Sequence, residues 1–218
     1  MYFVDLYQKC GSPGVPVELS AAIASIESGM SPLAVKSAQR SETPASAGAA
    51  VGAAVALLDD GQDATLGLMG LDARTLPGKG VALSAAFDPC KNIELATRLL
   101  SALWKSGEAM GMSPTSAEKH AVRRYFTASL ARTGTVEAYE ARVAAEKLRL
   151  QPDLATLAVI MPPPVVPPVA AKPEPKGPVV TREVRPVVAA PEVAPALEKP
   201  AWDGYGGNKP SGLVVFSR

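Results

Sequence analysis

Twelve of the 21 prolines in this 218-residue chain fall between Pro162 and Pro200, whereas the first 150 residues hold seven. Proline fixes φ and lacks the N–H through which helices and sheets bond. A stretch such as PPPVVPPVAAKPEPKGPVV is therefore predicted to run extended, as a polyproline-like linker that reaches rather than folds. A buried core is then confined to the N-terminal part, which at about 150 residues is long enough to support one domain. The expected organisation is a domain over residues 1–150, a disordered Pro-rich linker over 151–200 and a C-terminal interaction segment over 201–218. In that last segment AWDGYGG sets two aromatics among turn residues, and SGLVVF is a short β-prone run able to add to a partner's sheet edge.

Within the first 150 residues the apolar periodicity is helical and strand patterns are scarce, so the domain is expected to be mainly α. Val17–Ser28 is the first predicted helix. Ser46–Leu58 is the second, stopped by Asp59-Asp60-Gly61. Asn92 is read as the N-cap of a third helix whose stripe is Leu95, Leu99, Ala102 and Leu103. Ser113-Pro114 opens a fourth, predicted to run to Ala131, and Thr135–Leu148 forms another. Residues 61–89 are expected to be a loop-rich centre.

Several function classes lose support on composition. A net charge of +1 with 5% aromatic residues offers no basic stripe for nucleic acid. The longest apolar run, Ala45–Leu58, falls short of the roughly 20 residues of a membrane span and suits a packed helix. The start, MYFVDLYQKC, has neither the basic region nor the apolar length of a secretory signal. The single histidine, His120, lies among Glu118, Lys119, Arg123 and Arg124 on a predicted solvated face, which speaks against metal-centre and Ser-His-Asp chemistry. The glycines at 61, 67, 70, 78 and 80 form neither GxGxxG nor a P-loop, so no cofactor is expected.

Carboxyl chemistry remains. Glu27 closes the apolar run LSAAIASIES, where Leu19, Ala22, Ile23 and Ile26 share a stripe and Glu27 lies about 80° from Leu19, at the margin of the buried face. Half-burial in general raises a carboxyl's pKa and suits it to donating a proton to a glycosidic oxygen. Asp59, Asp60, Asp63 and Asp72 are most simply turn or cap residues. Cys10 and Cys90 are compatible with buried free thiols or with a disulfide closing a loop of about eighty residues, worth about 4.5 kcal/mol in the chain-entropy model.

Four blocks in order carry a resemblance. YQKCGSPGVPVELSAAIASIESGMSPLAV, LGLMGLDARTL, AFDPCKNIELATRLL and RRYFTASLARTGTVEAYEARV resemble the ESG, GLMQIN, FDPC-x-N and Tyr-helix blocks of lytic transglycosylase components of type IV secretion systems, members of the lysozyme-like soluble lytic transglycosylase (SLT) superfamily. The resemblance spans most of residues 7–145, and the tail from Trp202 also resembles the ends of several members. It implies a lysozyme-like fold, with Glu27 as the single acid/base cleaving the glycan of peptidoglycan to a 1,6-anhydro product. It further implies that Ser28 supports the site, that Met69 and Gly70 line the glycan groove, and that Tyr125 holds Glu27 or the sugar. By the same resemblance Cys10 and Cys90 form a periplasmic disulfide, and the tail meets components of the secretion apparatus. The chain departs from the pattern at Gly70 and Asp72, where the family has Gln and Asn, and at Thr127-Ala128-Ser129 in place of SGN. A glycan- or apparatus-binding scaffold without catalysis and a hydrolytic muramidase are the alternatives.

Overall fold

The computed structural model describes residues 1–162; the predicted linker beyond Pro162 and the segment 201–218 lie outside the described residues. Among the described residues are seven α-helices, α1 (Phe3–Cys10), α2 (Val17–Ser28), α3 (Ala47–Asp59), α4 (Thr75–Gly78), α5 (Pro89–Ala109), α6 (Pro114–Thr127) and α7 (Val136–Leu150), and one small sheet. The mainly α expectation holds. Helix α2 is the centre of the core. Leu19, Ala21, Ala22, Ile23 and Ala24 are all fully buried, so its apolar residues face neighbours on every side rather than along one stripe. It packs on α7, and α5 packs on α6 and on α1.

Local signals set most helix ends. Ser46, Ser113 and Thr135 accept from the backbone N–H three residues on and cap α3, α6 and α7. Gly29 ends α2 in the left-handed conformation, φ 60°. The third predicted helix begins earlier than expected. Asp88, not Asn92, is its N-cap, accepting from Lys91 N at 2.7 Å with Pro89 in the first turn. Asn92 is thereby placed inside the helix and fully buried. Helix α6 stops at Thr127, short of the predicted Ala131, which frees residues 128–135 as a loop.

The region from 35 to 72 holds four two-residue strands, β1 (Val35–Lys36), β2 (Ser41–Glu42), β3 (Thr65–Leu66) and β4 (Leu71–Asp72), in the antiparallel order β2-β1-β3-β4. Pairing Leu66 with Leu71 folds residues 67–70 into a tight turn below the end of α2.

Cys10 at the end of α1 and Cys90 at the start of α5 are joined by a disulfide, Cα atoms 5.3 Å apart. Replacing both by serine is expected to cost about 2–5 kcal/mol of stability. Guanidinium unfolding of the double variant against the oxidised chain measures it, and a loss below about 1 kcal/mol would mean that the link contributes little.

Residues 151–162, expected in the linker, pack on the domain instead. A 3-10 turn at Gln151–Thr156 leads to backbone bonds from Phe3 N to Leu157 O at 2.7 Å and from Ile160 N to Met30 O at 2.9 Å. Val159 is buried among the core residues.

Candidate active site

Glu27 sits one residue before the end of α2 and is only 5% exposed, deeper than the margin its helical position suggests. An unpaired carboxylate at that depth would be costly, and the chain supplies two donors to one of its oxygens. Arg132 Nε donates to Glu27 Oε1 at 2.7 Å and the Tyr139 hydroxyl donates to the same atom at 2.6 Å. Oε2 accepts no hydrogen bond among the described residues. It lies beside Gly70, where an added Cβ would stand 2.5 Å from Oε2 and 2.9 Å from Cδ. Gly70 also has φ +67°, a conformation that other residues rarely adopt. A side chain at this position would meet the Glu27 carboxyl, and either would have to shift.

Arg132 comes from the loop freed by the early end of α6. Its planar fork reaches three acceptors at once: Glu27, the Tyr125 carbonyl at 2.8 Å and the Gly70 carbonyl at 2.7 Å. The guanidinium also lies over the Tyr125 ring, 4.7 Å from its centroid. Burial opposes the arginine's charge most strongly, but Glu27, Tyr125 and Tyr139 together outweigh it and hold the guanidinium above its ordinary pKa. Burial first, and the Glu27 charge with it, pushes the Tyr139 hydroxyl well up, so it stays a donor. Phe126 packs against the Tyr139 ring at 5.0 Å between centroids and fixes its direction.

The residues expected around Glu27 are gathered there, in roles that differ in part. Ser28 Oγ donates to Ala24 O and to Leu68 O at 2.7 Å, tying the 67–70 turn to the helix that carries Glu27. Met69 is fully buried and its side chain lines no groove; its N–H donates to Asn92 Oδ1 at 2.7 Å and its carbonyl accepts from Tyr125. Tyr125, 1% exposed, spends its hydroxyl on that carbonyl at 2.6 Å and touches Glu27 only through Arg132 and the turn. Arg132, Tyr139 and Asn92 were not singled out for the site from the sequence. Asn92 completes the turn by donating to Leu66 O and Ala86 O at 3.0 and 2.7 Å. It approaches so closely at Gly67 that no Cβ fits there.

Two clefts meet at Arg132. The larger, about 420 Å³, runs past Gly70, Asp72, Leu76, Leu99 and Tyr125 and is largely apolar. The smaller, about 140 Å³, contains Glu27 itself with Lys36, Thr65, Tyr139 and Arg142. A buried carboxyl in the smaller cleft, with one oxygen pinned by the arginine that lines both clefts and the other unbonded, can exchange a proton with a ligand.

Two Brucella proteins, each named type IV secretion system protein virB1, from B. abortus biovar 1 (strain 9-941) and B. suis biovar 1 (strain 1330), are 34% identical over 100 residues. That match covers 45% of this chain and 42% of each relative, so it spans less than half the length of either curated protein. No solved structure matches. The transglycosylase SLT domain matches residues 7–139, a span that holds Glu27, the 67–70 turn, Tyr125, Arg132 and Tyr139, and the chain belongs to that family.

Proposed function

We propose that the chain is a peptidoglycan lytic transglycosylase with Glu27 as its acid/base. The observation that carries this reading is the asymmetry of the carboxyl: Oε1 is fixed by Arg132 and Tyr139, and Oε2 is unbonded beside Gly70. The first step requires the carboxyl in its acid form: Oε2, having taken up a proton, gives it to the oxygen linking N-acetylmuramic acid to N-acetylglucosamine, and the C1–O bond of the muramic acid breaks through an oxocarbenium-like state. The C6 hydroxyl of the same sugar then forms the new bond to C1 and returns its proton to Oε2. Because an internal hydroxyl attacks, no second carboxyl is needed to activate water. The match to virB1 proteins supports a place in a type IV secretion system, with periplasmic wall opening during assembly of the apparatus, as in conjugation.

Product analysis tests the chemistry. The purified chain acting on isolated peptidoglycan should release muropeptides ending in 1,6-anhydro sugars, whereas reducing ends would indicate hydrolysis. No release would favour the second reading, a glycan-holding scaffold, which the commitment of Glu27 to Arg132 also supports. The tail is assigned to the apparatus, so deleting residues 163–218 should leave wall cleavage in vitro within about twofold while reducing secretion in cells; loss of cleavage would place the tail within the catalytic unit.

A further inference from the structure

The smaller cleft beside Glu27 is cationic. Lys36 of β1, Arg132 and Arg142 of α7 line it, and its one carboxyl, Glu27, is already engaged by Arg132 and Tyr139. Neither Lys36 nor Arg142 forms a salt bridge among the described residues. The Lys36 ammonium is half-buried and donates only to the Ile26 carbonyl, at 3.2 Å. Burial draws its pKa below the ordinary value; Glu27 opposes that and Arg142 adds to it. Glu146, whose charge Arg142 also favours, is occupied elsewhere, since Arg149 and Ser25 hydrogen-bond its carboxyl and, with a smaller contribution from Arg142, hold its pKa at about 2. Hydroxyls of Ser37, Thr65 and Thr133 line the same space. The half-buried Lys36, the exposed Arg142 and three hydroxyl-bearing residues line a volume of about 140 Å³, which equals roughly five waters at about 30 Å³ each. That suits a carboxylate on a short alkyl stem.

We infer that this pocket binds a carboxylate of the peptide stem carried by the glycan, an inference that rests on the peptidoglycan reading of the site. The sugar backbone offers few alternatives: its hydroxyls and acetamides are neutral, and in an intact strand the lactyl carboxyl is consumed in the amide to the first amino acid. The anions a strand brings next to the scissile bond are those of its stem. Lys36 and Arg142 then determine specificity, favouring strands whose stems carry free carboxylates over strands whose stem carboxylates are capped.

The test compares the full chain with its K36Q/R142Q variant on peptide-bearing strands and on the same strands with stem carboxylates converted to primary amides. Capping should lower wild-type kcat/KM about tenfold, mainly through KM. The variant should treat both substrates alike. A wild type indifferent to capping, or a variant that keeps the wild-type preference, overturns the inference. R142Q alone, at an exposed position, should lose part of the preference and serves if the double variant does not fold. Failure of the catalytic reading is seen separately, as no 1,6-anhydro product from wild type on either substrate. In that event calorimetry with a disaccharide-peptide decides: weaker binding after capping that depends on Lys36 and Arg142 supports the pocket, and equal binding removes it.

Discussion

Turnover of peptidoglycan is expected to fall by about 10²–10⁴-fold when Glu27 is replaced by glutamine, with the fold retained. The amide keeps an oxygen where Oε1 accepts from Arg132 and Tyr139, so the buried guanidinium is not left without an acceptor. Its nitrogen takes the place of Oε2 beside Gly70 and cannot deliver a proton at neutral pH. Glu27→Ala removes the same proton but also the acceptor, leaving a guanidinium whose side chain is 7% exposed without its anion. It should therefore unfold at lower denaturant than Glu27→Gln while being equally inactive. Release of anhydromuropeptides, quantified by chromatography on correctly folded protein, is the measurement. Activity of Glu27→Gln within tenfold of wild type would place the acid elsewhere.

Glu27 was legible in the sequence as a candidate, one carboxyl closing an apolar helix before Ser28-Gly29, but the local pattern alone assigns it no role; the proposed role as acid comes from the ordered blocks around it. The caps Ser46, Ser113 and Thr135 were legible because capping is decided within four residues. What surrounds Glu27 was not. Arg132 and Tyr139 are separated from it by 105 and 112 residues, and each carries an ordinary surface reading in its own segment. Asn92 shows how a local rule can lose: it can cap a helix, but Asp88 followed by proline caps better, and the amide is then used to tie the 67–70 turn. The four strands are two residues each, too short for an alternating pattern to register. Short α1 is likewise secured by tertiary contacts, through the disulfide and the strand-like return of residues 157–160.

Arg132→Met should be the most destabilising single change in the site, by about 3–5 kcal/mol, because it leaves a nearly buried carboxylate with only Tyr139 and strips a donor from the Gly70 and Tyr125 carbonyls. The cost lies in the orphaned charge more than in the lost pair, and that distinction can be measured. Adding Glu27→Gln to Arg132→Met removes the unpaired charge, so the double variant should recover about 1–3 kcal/mol relative to Arg132→Met alone. Urea unfolding of wild type, both single variants and the double variant closes the cycle. Equal stability of Arg132→Met with and without Glu27→Gln would mean that the arginine acts through packing on Tyr125 and not through the carboxylate. Arg132→Lys discriminates further: an ammonium can meet Glu27 but cannot span Glu27, Gly70 and Tyr125 together. It should restore most of the stability while leaving the 67–70 turn less firmly held against the carboxyl, so that kcat stays depressed with the fold intact.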